Sequence, residues 1–248
     1  MRIGFFEEYP TKANLGKLQY VDFPTELIVA APSLKEFLRI KKNINKYRQV
    51  KKVIYWPVLK KSEGYWFSRF SDPKAMQRII TAVQAYKKHI DIMWDLEFPI
   101  FDFWKPATYL NFFKTKKIMK QLLSLSSQRM LIATYPKTNS FLEFLLQSAQ
   151  LRASRGQQIR MAYTSMIGRA HHAVKFLEHQ LRDRPNMVGL GCIGQGILGI
   201  EPLLSPEHLK RDLEFVKKHG VKKVFIYRLG GLDRQYISAI HQFLQAKV

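Results

Sequence analysis

The chain has 248 residues, of which 46% are hydrophobic and 24% charged, and 41 Lys and Arg against 19 Asp and Glu give a formal net charge of +22. That length is enough to bury a substantial core, the composition excludes a disordered or fibrous polypeptide, and the excess of cations favours anionic partners. Cys192 is the only cysteine, which excludes an intrachain disulfide and a multi-cysteine metal centre, and no stretch reaches the roughly 18 apolar residues of a membrane span. The opening "MRIGFFEEYP" acquires two acids by its eighth residue and lacks the pattern of a signal peptide. The expectation is a cytoplasmic protein, or an exported one whose leader has been removed.

In chain order, short β-branched and aromatic runs recur at 2–8, 26–31, 51–59, 90–98, 129–135, 159–165, 187–193 and 222–229. Helical spacing separates them, most plainly in "SLKEFLRIKKNINKY", "DPKAMQRIITAVQAYKKH", "NSFLEFLLQSAQLRASR" and "SPEHLKRDLEFVKKHG". Ser33 with Glu36 three residues on reads as a capping box, and Ser205-Pro206 with Gly220 reads as an N-cap, a Pro at the first helical position and a glycine stop. Residues 9–26 are the least regular and suggest a long loop with a short helix. Eight βα units in a chain of this length predict an α/β fold of the (β/α)8 TIM-barrel type, with residues 1–248 as a single domain. The competing doubly wound sheet calls for a G-x-G-x-x-G phosphate loop at its first strand-to-helix turn, and none follows the run at 2–8.

In such barrels reacting groups stand at the C-terminal ends of the strands, which reduces the acids to Glu7, Glu8, Asp95, Glu97 and Glu201. Asp95 and Glu97, two apart on a strand, share a face with Met93, while Ile92, Trp94 and Leu96 take the other. Two carboxylates so close favour one proton between them and suit general acid chemistry toward a leaving oxygen; a structural pair neutralised by a rim cation is the competing reading.

"DLEFP", Asp95 to Pro99, resembles the D-x-E-[YF]-P ending of strand four in the chitinase-like glycoside hydrolases. "MAYTSM", Met161 to Met166, is similar to that family's M-x-Y segment, and "VGLGCIGQG" to its glycine-containing strand-seven ending. The resemblance implies a barrel that hydrolyses glycosidic bonds, with Glu97 as general acid/base, Asp95 orienting the substrate's acetamido group and Tyr163 as a hydrogen-bonding assistant. Two positions depart from the pattern. Met93 stands where the family has an earlier aspartate, and "YWPVLKK" replaces its S-x-G-G segment.

Sugar rings stack on aromatic faces, so Trp56, Trp66 and Trp104 are candidate cleft residues, with Tyr135, Gln195, Tyr227 and Arg228 as further hydrogen-bonding candidates; rim packing is the competing role. Glu8 is a second candidate acid for a two-carboxylate site. No H-x-x-x-H or H-E-x-x-H occurs, so neither a metal nor an organic cofactor is expected.

The expected partner is a carbohydrate or an anionic polymer. Cations crowd at Lys41, Lys42, Lys46, Arg48, Lys51 and Lys52 and again at Lys114, Lys116, Lys117 and Lys120, with no zinc-finger or RNA-recognition signature, and read as a basic exterior. Besides a hydrolase, a non-catalytic barrel that binds a glycan or protein, and a binder or enzyme for an anionic polymer, remain open readings.

Overall fold

A computed structural model describes residues 1–96, 106–123, 130–134, 136, 157–167 and 170–246. Eight parallel strands close into a barrel in chain order, β1 (Arg2–Glu7), β2 (Thr25–Ala31), β3 (Val50–Pro57), β4 (Ile92–Asp95), β5 (Met130–Thr134), β6 (Gln157–Met161), β7 (Met187–Gly191) and β8 (Lys223–Tyr227). The described helices are α1 (Lys12–Gly16), α2 (Leu34–Ile44), α3 (Pro73–Ala85), α4 (Pro106–Leu123), α5 (Ala170–Leu181), α6 (Pro206–Lys218) and α7 (Arg234–Gln245). The expected helix within 139–155 lies outside the described residues.

The predicted caps form, except that the Glu36 carboxylate accepts from Arg39, so only the Ser33 half of the expected capping box is seen. Ser33 Oγ accepts from Glu36 N at 3.2 Å, and Ser205 Oγ accepts from His208 N at 3.3 Å with Pro206 at the first helical position. Gly220 closes α6 with φ +81°. Most predicted strands run one to four residues past the ladder: β6 stops at Met161, leaving Tyr163 on the turn before a 3-10 segment, and β7 stops at Gly191. Where they are described, those extra residues belong to the segments that follow β1, β3, β6, β7 and β8.

The chain divides into two compact units, one of residues 1–29, 40–53 and 159–248, the other of 30–39 and 54–158. The core of the first is built on β1, β7 and β8. Phe6 packs its ring 5.6 Å from Phe225 and 6.2 Å from Tyr227, all three buried. Gly189 gives these side chains room: a Cβ there would stand 2.6 Å from Met161 Sδ and 3.6 Å from Phe6 Cε2. In the second unit Phe37 stacks on Tyr55 at 4.8 Å, and Trp94 meets Phe67 edge to face at 4.9 Å. Trp94 is thus a core residue, as its place on the alternate face of β4 suggests.

Candidate functional site

In the first unit β1 delivers two consecutive acids with opposite fates, because neighbouring side chains on a strand point to opposite faces. Glu8 follows Phe6 and accepts from the Tyr227 hydroxyl at 2.5 Å, with only 5% of its surface exposed. Glu7 turns the other way and is fully buried. Its Oε1 accepts from Tyr9 N at 2.7 Å, Asn14 Nδ2 at 3.2 Å and Arg228 at 3.3 Å, and its Oε2 accepts from Gly230 N at 2.6 Å. Glu7 therefore anchors the loops after β1 and β8, and Glu8 is left to face the phenols.

Burial outweighs these four donors and pushes the Glu7 carboxyl up to about 7 from an ordinary 4.5. The folded protein holds this proton where the unfolded chain has released it. The associated stability, on the order of 3 kcal/mol, is complete below pH 4.5 and is lost as pH rises through about 7. Glu7→Gln has no such proton to lose, so its thermal midpoint should fall less than that of the wild type between those pH values. Parallel melting curves across that range test this, and equal slopes would remove Glu7 from the titration.

Tyr227 is buried beside Tyr163, ring centroids 5.5 Å apart. Burial first, and then the charge of Glu8, raise its phenol well above the ordinary range, so it stays a proton donor. Gly196 sits against it: a Cβ there would stand 2.8 Å from Tyr227 Cζ and 2.9 Å from Glu201 Oε1. Only a bare glycine lets the loop after β7 pass between phenol and acid. Glu201 is 8% exposed; its Oε1 accepts from Leu198 N at 3.0 Å, and its Oε2 is buried without a hydrogen-bond partner among the described residues. Arg228 closes the group, its Nε donating to the Gln195 carbonyl at 2.7 Å and its guanidinium lying 4.8 Å from the Tyr9 ring centre.

The structure thus brings together Glu8, Tyr163, Tyr227, Arg228 and the backbone of Gln195, and adds Tyr9, Asn14 and Glu201. The Gln195 side chain is exposed. In the second unit Asp95 closes β4, 3% exposed and paired in register with Ala133, and its carbonyl accepts from Phe67 N at 3.0 Å. Met93 is fully buried, and Trp56 and Trp66 are 3% and 5% exposed. Rings so enclosed present little face for stacking. Glu97, Trp104 and Tyr135 lie outside the described residues. Among the described residues no three of His, Cys, Asp and Glu stand close enough to hold a metal ion, and no helix is long and apolar enough to cross a membrane.

Carboxylates alternating with phenols suit a ligand rich in hydroxyls, since the acids accept, the phenols donate and the rings offer apolar faces. The barrel is shared with solved carbohydrate-active enzymes. The chain is 13% identical to the 3-keto-D-glucoside 4-epimerase YcjR from E. coli, covering 99% of this chain and 100% of that one at a TM-score of 0.55. It is 10% identical to a GH18 chitinase from Pseudoalteromonas aurantia, covering 98% and 100% at 0.58. A class V chitinase mutant from Cycas revoluta, solved with (GlcNAc)3, is 11% identical over 98% and 100% at 0.57. No protein-family model and no curated protein sequence matches the chain. The likeness establishes a TIM barrel with a distant structural resemblance to the chitinases.

Proposed function

We propose that this barrel hydrolyses a glycosidic bond in a glycan that contains N-acetylated sugars. One observation carries the reading: a closed parallel barrel ends its fourth strand at Asp95, in the sequence "DLEFP", where barrel enzymes present their reacting groups. Glu97 protonates the leaving oxygen as its bond to the anomeric carbon breaks, the substrate's acetamido oxygen attacks that carbon while Asp95 holds the acetamido N–H, and water, giving its proton back to Glu97, then displaces the acetamido oxygen. Tyr163 donates a hydrogen bond to the substrate. Glu8 and Tyr227 form a fixed acceptor and donor pair for sugar hydroxyls.

The resemblance of the fold to chitinases, one of them solved with (GlcNAc)3, makes β-linked N-acetylglucosamine oligomers the first substrates to try. Incubation with such oligomers and with chromogenic glycosides should release shorter sugars or chromophore. A panel that is bound but never cut favours the second reading, a glycan-binding barrel without chemistry. Its specific support is Met93, a buried thioether where the chitinase pattern has an acid.

A further inference from the structure

Glu7, Glu8 and Glu201 stand at or just beyond C-terminal ends of strands in the first unit, and a row of cations stands at the other end. Barrel closure joins connections that are far apart in the chain. The Asn186 carbonyl accepts from Lys222 N at 3.1 Å, and the Lys222 carbonyl accepts from Arg2 N at 3.0 Å. Ile3 pairs with Thr25, whose N–H donates to the Gln49 carbonyl at 2.9 Å. The segments entering β7, β8, β1, β2 and β3 therefore form one continuous arc.

Arg182 and Arg184 occupy its first segment and Lys218 and Lys222 its second, followed by Arg2 and then by Lys46, Arg48 and Lys51, all exposed. The acids within the arc are already engaged. Glu26 is held by Lys223 at 2.7 Å and lies 3.9 Å from the Arg2 guanidinium, Asp183 is held by Arg160, and Asp22 is hydrogen-bonded to His241 at 2.8 Å. Among the described residues Glu178, in the last turn of α5, and Asp22, whose histidine partner is charged only when protonated, leave negative charge in the arc. The arc is thus a row of cations with little internal neutralisation, and it projects a local positive potential.

We infer that this arc binds the phosphodiester backbone of a nucleic acid. Four of its cations are arginines, whose planar forks match phosphate oxygens. Tyr47, partly exposed between Lys46 and Arg48 with the Lys46 ammonium 5.1 Å from its ring, is an aromatic set among cations, the arrangement on which unpaired bases stack. An anionic bilayer suits the arc less well: Leu244 near the end of α7 is the large apolar side chain exposed at this end among the described residues, and stable adsorption of a protein face draws on inserted apolar area. Backbone binding needs no sequence-reading motif, so the missing motifs do not weigh against it. The inference is independent of the glycosidase reading.

The test is fluorescence anisotropy with labelled single-stranded and duplex oligonucleotides over a salt series. Wild type should bind at about 50 mM salt and weaken steeply, log K falling against log salt by about 0.7–0.9 for each phosphate neutralised. The quadruple variant Arg48→Glu, Lys51→Glu, Arg184→Glu and Lys222→Glu should lose at least about tenfold in affinity. The matching Gln variant should keep the thermal midpoint and show a shallower salt slope. An equal charge change at Lys12, Lys74, Lys114 and Lys116 should leave affinity within about twofold. No oligonucleotide binding at low salt would overturn the inference, as would equal losses in both reversed variants. Binding to vesicles rich in anionic lipid without oligonucleotide binding would also overturn it, in favour of a membrane face.

Discussion

Glu97→Gln should lower turnover of a cleaved oligosaccharide by about 10²–10⁴-fold and leave KM within a small factor, because the amide keeps the shape of the carboxyl and cannot give up a proton. Glu8→Gln is the informative companion. Glu8 accepts the Tyr227 hydroxyl proton at 2.5 Å, so it already acts as an acceptor, and the amide oxygen can go on accepting there. Its loss should therefore appear mainly as weaker binding. Steady-state kinetics of the two variants on one substrate separate these outcomes. The opposite ranking, a large kcat loss for Glu8→Gln and none for Glu97→Gln, would move the acid from Glu97 to Glu8.

Gly191→Ala should be the most damaging single change at the end of β7, at about 2–4 kcal/mol, against about 1 kcal/mol for Gly220→Ala. Gly191 has φ +143°, a region L residues rarely enter, and a Cβ would overlap the carbonyl oxygen of its register partner Tyr227 and stand 3.3 Å from that residue's C and N atoms. That same carbonyl accepts from Ile193 N at 2.6 Å, so displacing it breaks the turn as well as the ladder. Gly220 has φ +81° and open space around it, which isolates the conformational cost alone. Thermal melts should place Gly191→Ala several degrees below Gly220→Ala. Because Tyr227 also carries the hydroxyl that holds Glu8, the first variant should lose ligand binding with its stability. Equal midpoints would show that β8 yields readily at this point.

The βα alternation was readable from the sequence because its hydrophobic period and its punctuation are local. Ser33, Ser205 and Gly220 act within four residues of themselves, and the structure uses each as expected. Strand ends were less readable: "MAYTSM" has strand composition throughout, yet the chain leaves β7 after Ala162, although β7 itself runs on to Gly191, and turns at Tyr163.

The position at strand ends singled out Glu8, Tyr227 and Arg228, which the structure brings together, but not Tyr9 or Asn14. It could not divide the labour between Glu7 and Glu8, since Glu7's role depends on Gly230, 223 positions away. Glu201 stood among the filtered acids without a role, because its place beside Tyr227 depends on the path of a glycine-rich loop. The basic arc was unreadable for the same reason. Arg184, Lys222 and Arg48 become neighbouring segments only when the barrel closes.

The most direct test of the account is a crystal structure of Glu97→Gln soaked with the oligosaccharide that wild type cuts. The sugar should sit at the C-terminal ends of the strands, its scissile oxygen within hydrogen-bond reach of residue 97. A sugar bound elsewhere, or seated there with residue 97 far from any glycosidic oxygen, would contradict it.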